Sequence, residues 1–287
     1  MHIVLEKLGI DNVTLFTIAD KIGLAILEHF FSDFKRIMNF RIKNGKQGYS
    51  TAFEFLDDIE KVFLSDIGDN DKFGPTMIND KDDTQILKDA AAIVLVDWAS
   101  NTLGTELAEY IFNTSTKSLH FIDTGDIASR KNEIPKLLQV LADTKSILSI
   151  NENECNSFAD AINFDSLATI RKEQGEDDDN NLPEEGSVQE YLKKFAKKIK
   201  LSIDLHANRY TAWSDGKDVA LVPTRKVNIN NLVGAGDSWD AADIVGYLAG
   251  LDPQERLTFS NAYVSLYISS PNSEPGTMSE VIDLLQK

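Results

Sequence analysis

A single cysteine, Cys155, stands among 287 residues, so no intrachain disulfide can form and a reducing, cytoplasmic setting is expected. Histidine is almost as scarce. The four present (His2, His29, His120 and His206) show no ligand spacing such as HxxxH, so a metal centre would have to rest mainly on carboxylates. No run approaches the ~20 apolar residues that span a bilayer. The N-terminus, MHIVLEKLGI, lacks the basic stretch and apolar core of a signal peptide and reads as a helix already under way. Basic charge is in deficit: 29 Lys and Arg against 46 Asp and Glu give a formal charge of −17. That field opposes nucleic acid and anionic membranes, and neither is expected as a partner. It does not exclude a nucleotide, which arrives as a metal complex and can seat its phosphates on local backbone amides.

Against those absences, the chain alternates short β-rich runs with helix-length amphipathic segments. Val13–Ile18, Ala92–Val96, His120–Asp123 and Ser146–Ile150 read as buried strands, and 21–33, 102–113, 132–142 and 188–199 read as helices. Such alternation implies an α/β fold, a mostly parallel sheet covered by helices on both faces, with ligands at the carboxyl ends of the strands. One stretch breaks the rhythm. Met38–Lys43 and Gly48–Phe55 flank Asn44-Gly45, a strong hairpin signal, and Lys61–Ile67 follows. A small antiparallel lid is therefore expected over 36–67, projecting from a main domain made of 1–35 and 68–287. A second antiparallel piece is expected at Tyr210–Trp213 and Val219–Val222, turning at Asp215-Gly216. Arg171–Glu190 is acid-rich and reads as a surface loop, with a cation site as the sharper alternative.

The segment Asn231–Gly250, NLVGAGDSWDAADIVGYLAG, carries the most chemistry. Gly234-Ala235-Gly236-Asp237 precedes a helix whose apolar positions Ala241, Ile244, Val245 and Leu248 keep helical spacing. Small residues allow close backbone approach, and a helix's first turn leaves amides without internal partners, which together make an anion hole. Asp237 stands where a carboxylate could take a proton from an attacking hydroxyl. On physics alone, an ordinary glycine-rich turn with an acidic cap accounts for the same residues.

GAGDSWDAADIVGYLAGL resembles the C-terminal signature of the ribokinase family of carbohydrate and nucleoside kinases. Three weaker matches follow the family order: Gly68-Asp69-Asn70, Asp123-Thr124-Gly125-Asp126 after a strand, and Ser149–Glu154, which resembles an Asn-x-x-Glu element. Together they cover nearly the whole chain. The resemblance implies a three-layer α/β/α sandwich and Mg²⁺-dependent transfer of the ATP γ-phosphoryl group to a sugar or polyol hydroxyl. It makes Asp237 the catalytic base and the amides of Ala235 and Gly236, after Gly234, the anion hole. Asn151 and Glu154 become the pair that organises Mg²⁺ and phosphate, with Glu154 nearest the metal. Asn151 and Glu154 also fit a plain helix capping box. Asn261 is implied beside the nucleotide, where helix packing explains it equally well. Asp69, Asn70, Asp123 and Arg130 are implied on the acceptor side. Arg41, Lys43 and Lys46 are further candidates should the acceptor already carry a phosphate. Family lids often supply a dimer contact, so a homodimer through the lid is implied.

Three departures stand out. Family members open with a strand, lid strands and a Gly-Gly…Asn segment that grips the substrate. Met1 falls just after that Asn, so the first strand, part of the lid and several substrate contacts are expected to be missing. At Asp204–Tyr210 (DLHANRY), the family's Thr-x-Gly-x-x-Gly is replaced, with Leu205 at the Thr position. Leu232-Val233 stand where Thr or Ser often precedes GAGD. Two further readings remain open. One is a nucleoside kinase; Trp98 could stack on a base or a sugar ring, though core packing accounts for it more simply. The other is a binding module that keeps the fold without catalysis.

Overall fold

The computed structural model describes residues 1–32, 38–54, 61–168, 185–272 and 274–287. Its centre is a six-stranded sheet in the order β10-β9-β8-β7-β6-β5, formed by β5 (Ala92–Leu95), β6 (Leu119–Asp123), β7 (Ile147–Asn151), β8 (Ser202–His206), β9 (Tyr210–Ser214) and β10 (Val219–Pro223). The first four run parallel, and β9 and β10 complete the expected antiparallel end. Gly216, at φ +84°, supplies the left-handed residue that the β9–β10 turn requires.

Alternation along each strand sends its side chains to two helical layers. Leu148, Ile150, Ile203 and Leu205 face the larger core, which they share with α4 (Gly104–Thr114), α5 (Ile134–Asp143), α6 (Glu152–Ala161) and α7 (Glu185–Ile199). Ile147, with Phe121 of β6, faces α8 (Ala235–Ala249). Behind α8 lie α1 (His2–Lys7), α9 (Pro253–Ser269) and α10 (Met278–Leu285). α8 is buried nearly all round from Ser238 to Gly246. A side chain on Gly246 would stand 2.6 Å from Arg256, so glycine here is what lets α9 approach. No described helix is long and apolar enough to cross a membrane.

The acid-rich segment lies outside the described residues as far as 184. Its last part, 185–190, is not loop but the first turns of α7. There Val188, Tyr191, Leu192, Phe195, Ala196 and Ile199 recur at helical spacing and are all buried.

The hairpin expected across Asn44-Gly45 does not form. β2 (Met38–Asn44) pairs in parallel with β1 (Val13–Ala19) over seven residues, not with the strand that follows it. Gly45 is not among the glycines with positive φ, so the tight turn its sequence suggests is absent. Instead the Gly45 amide donates to Ala19 O, and the Lys46 amide donates to the Asp69 carboxylate at 2.7 Å, which leads the chain onward. The projecting ribbon is β3 (Tyr49–Glu54) with β4 (Lys61–Asp66), so it begins at Tyr49 rather than at 36. α2 (Lys21–Phe30) leads from β1 toward β2, capped by the Asp20 carboxylate on the Ile22 and Gly23 amides. The β1–β2 pair is a sheet of its own, yet Ile18 enters the same core as Leu95 and Trp98.

Candidate active site

Residues paired in register across a sheet share a face. Asp123, Ser149 and Asp204 stand side by side on β6, β7 and β8, with Trp213 of β9 next in line. One rung nearer the carboxyl ends, Asn151, His206 and Thr211 form a second row. Both rows face α8. Ser149 donates to Asp240 at 2.5 Å, Tyr247 donates to Asp204 at 2.8 Å, and the His206 ring lies 5.3 Å from that of Trp239.

α8 begins over these strand ends. Its N-cap is Gly234, at φ +80° and with no side chain to close the helix end. A side chain there would meet Tyr267 Oη at 2.9 Å, a second reason for glycine. The Ala235 amide turns back to Leu232 O at 3.2 Å, so it is not the open donor that the family resemblance implies. The open amides of the first turn are those of Gly236 and Asp237. Asp237 itself is about half exposed, and its ion pair among the described residues is with the Met1 ammonium at 4.0 Å.

Several carboxyls crowd this point. Burial pushes the Asp123 carboxyl up to about 6, and the charges of Asp237 and Asp97 add to the shift against a Gly125 amide bond. Burial pushes Glu154 up to about 8, with Asp123 and Asp126 adding to it. Asp240 is fully buried and raised well above the usual range by burial and the Asp123 charge. Its Oδ2 meets no hydrogen-bond partner among the described residues. Asp97 follows β5 in a left-handed conformation, φ +55°, which costs roughly 1–2 kcal/mol in a residue other than glycine. Burial raises its pKa as well, and the Asp237 charge contributes.

Asp237, Asp123, Glu154 and Asn151 are thus contributed by four elements, α8, β6, α6 and β7. Asp97, Asp240 and His206 join them unforeseen. Each had a faint signal: His206 closes a strand at its carboxyl end, Asp97 follows a strand end by two residues, and Asp240 follows Asp237 by three helix positions. Asn151 and Glu154 form the capping box of α6, with Glu154 N to Asn151 Oδ1 at 3.0 Å and Asn151 N to Glu154 Oε2 at 2.9 Å. Leu205, at the position expected to replace a threonine, is fully buried in the opposite core, and the residue facing the cleft is His206.

Other candidates are engaged elsewhere. Arg130 is buried, stacks 4.1 Å over Trp98, and donates to Glu133 and to the carbonyls of Trp98 and Asn101. It braces a loop and presents no free guanidinium to an acceptor. Asn261 is 2% exposed, accepts from Trp239 Nε1 at 3.1 Å and donates to Pro223 O at 3.2 Å, so it holds the wall behind the cleft. Asp69 and Asn70 bind the Lys46 and Ile18 amides at the end of β1. Arg41 and Lys43 are paired with Asp83, and Lys46 with Asp66. Trp98 is fully buried and donates to Thr105.

No group of three or more His, Cys, Asp or Glu among the described residues could hold a metal ion by itself. Mg²⁺ in nucleotide sites needs only one or two carboxylates, with waters and phosphates completing its shell. Glu154 and Asp123 suit that role. Their raised pKa values mark crowded carboxyls that a cation would relieve.

A three-layer α/β/α sandwich with a β ribbon beside it, and a glycine-led helix over the carboxyl ends of its sheet, is the ribokinase-like fold. No family model matches the chain, and no curated protein matches it. Solved structures do. A ribokinase from Cryptococcus neoformans var. grubii serotype A, in complex with ADP, superposes with a TM-score of 0.75 at 15% identity, over 98% of this chain and 84% of its own. The adenosine kinase of Sinorhizobium meliloti gives 0.73 at 14% identity, over 99% and 80%. Arabidopsis thaliana ribokinase, complexed with ribose and ATP, gives 0.69 at 17% identity, over 99% and 86%.

Proposed function

We propose that this protein is a kinase that moves the γ-phosphoryl group of ATP to a hydroxyl of a sugar or polyol, with Asp237 as general base. The observation that carries the reading is the placing of an exposed carboxylate beside two open amides on the first turn of α8, above the carboxyl ends of the strands. The acceptor hydroxyl gives its proton to Asp237 while its oxygen bonds to the γ-phosphorus. The bond from that phosphorus to the β–γ bridging oxygen breaks, and ADP leaves. The Gly236 and Asp237 amides point at the transferred group, whose negative charge they stabilise.

No Lys or Arg is paired with Asp97, Asp123, Asp126, Glu154, Asp237 or Asp240 among the described residues, so the triphosphate enters a cleft of its own sign. Mg²⁺ carried in with the nucleotide, near Glu154 and Asp123, would supply the neutralising charge. Full burial of Trp98 assigns it to the core rather than to a base or a sugar ring. The apolar ribbon β3–β4 supports a second copy of the chain as a partner.

Asp237→Asn keeps the size of the side chain and removes the base. Turnover with ATP and a panel of sugars should fall by roughly 10²–10⁴-fold, while ADP affinity changes little. Turnover at the wild-type rate would overturn the role of Asp237.

A further inference from the structure

We propose that His206 is a ligand of the donor's phosphate chain, donating an imidazole N–H to a phosphoryl oxygen held at the start of α8. The inference rests on reading the site as that of a nucleotide-dependent kinase. His206 is the last residue of β8, in register with Asn151 on one side and Thr211 on the other, so the three side chains form one row facing α8. Its ring packs on Trp239, and its Cε1 lies 3.6 Å from where a side chain on Gly236 would begin. Gly236 carries one of the two open amides of the first turn. An oxygen bound by that amide therefore lies within reach of the imidazole.

Neither ring nitrogen of His206 has a hydrogen-bond partner among the described residues. Thr211, opposite, is 1% exposed, and its hydroxyl has no partner either. The Thr211 hydroxyl is a buried polar group left unpaired, which is costly, and a ligand that brings acceptors satisfies both it and the open imidazole. Phosphate oxygens do so. Burial pushes the imidazole pKa down to about 4, so at neutral pH the ring is uncharged and offers one N–H without needing a counter-ion.

The test is calorimetric titration of wild type, His206→Ala and His206→Asn with Mg·ADP and, separately, with adenosine, which has no phosphate. A hydrogen bond to a charged group is worth about tenfold or more in affinity. His206→Ala should weaken ADP by about tenfold and leave adenosine within about twofold, and His206→Asn, which keeps an N–H donor, should recover part of the loss. Equal ADP affinity in wild type and His206→Ala would overturn the proposal. So would equal weakening of ADP and adenosine, the mark of a merely structural role. Failure of wild type to bind ADP at all would overturn the kinase reading itself, and His206 with it. Should His206→Ala not fold, the imidazole C–H resonances of wild type decide: the His206 signal should shift most of the four on adding Mg·ADP, and an unmoved signal in ADP-bound protein would reject the contact.

Discussion

At the junction of β8, α8 and α9, Arg256 reaches Asp204 at 2.9 Å and also Asp243, stacks 3.7 Å over Tyr247, and is 1% exposed, with both aspartates fully buried. Between α2 and β4 the balance is reversed. Nine of the fifteen large apolar side chains that are exposed among the described residues lie there, from Ile22 at 66% and Phe30 at 67% to Leu64 at 63%. On the ribbon, Tyr49, Phe53, Val62 and Leu64 share one face, because Phe53 pairs with Val62 and Thr51 with Leu64. One region buries charge and pairs it internally. The other leaves apolar surface in water on a two-stranded ribbon, a unit that is marginal by itself. The first is a scaffold that holds α8 over the strands; the second leaves an apolar face open.

The sharpest way to break this contrast is Arg256→Ala. Removing one member of a buried charge network leaves two uncompensated aspartates and costs about 3–5 kcal/mol. In a chain of this size the Tm should fall by roughly 10 °C in calorimetry. A fall of only a degree or two would show that the junction is not the scaffold described here.

Acid–base titration of stability comes next. Glu154, raised to about 8, holds a proton in the folded state that the unfolded chain has already lost above pH ~5. Between pH 5 and 8 the folded state alone carries this proton, so each rise in pH favours the unfolded chain and stability falls across this window. Asp123, raised to about 6, adds to the decline at its acid end. His206, lowered to about 4, acts in the opposite sense, with stability lost as pH drops from about 6.5 toward 4. Tm measured against pH should therefore peak in mild acid, and Glu154→Gln should flatten the alkaline arm. A Tm that rises steadily from pH 5 to 8 would refute the protonated Glu154.

The smallest effect on folding should come from the ribbon. Phe53→Asp with Leu64→Asp adds charge to an already exposed face and should change stability by about 1 kcal/mol or less. Its effect should appear in association. Wild type is expected to sediment as a dimer at micromolar concentration and the double variant as a monomer. A wild-type monomer under those conditions would remove the second copy as the ribbon's cover.

Much of the scaffold was legible beforehand because its causes are local. Strand runs such as Val13–Ala19 and Ile147–Asn151 announce themselves by their apolar content, and α8 by its glycine entry and helical apolar spacing. The Asn151–Glu154 capping box is written in a four-residue spacing. The pairing of β2 was not legible. Asn44-Gly45 is a local turn signal, and a seven-residue parallel ladder with β1, twenty-five positions upstream in register, overrode it. The site divides the same way. Asp237 and Glu154 could be named from motifs. That Arg130 and Asn261 are engaged inside the protein, and that His206 rather than Leu205 faces the cleft, depends on which way each side chain leaves its element.

The sequence by itself determined the alternation of strands and helices, the glycine-led helix that carries Asp237, and an acidic balance that any phosphate ligand must overcome with a cation. Those properties reside in neighbours along the chain and in net charge. Only the tertiary structure decided which carboxyls crowd together, which hold a proton and which polar groups remain open to a ligand. Burial and charge proximity arise between residues such as Asp123 and Asp240 that meet only when the sheet is assembled under α8.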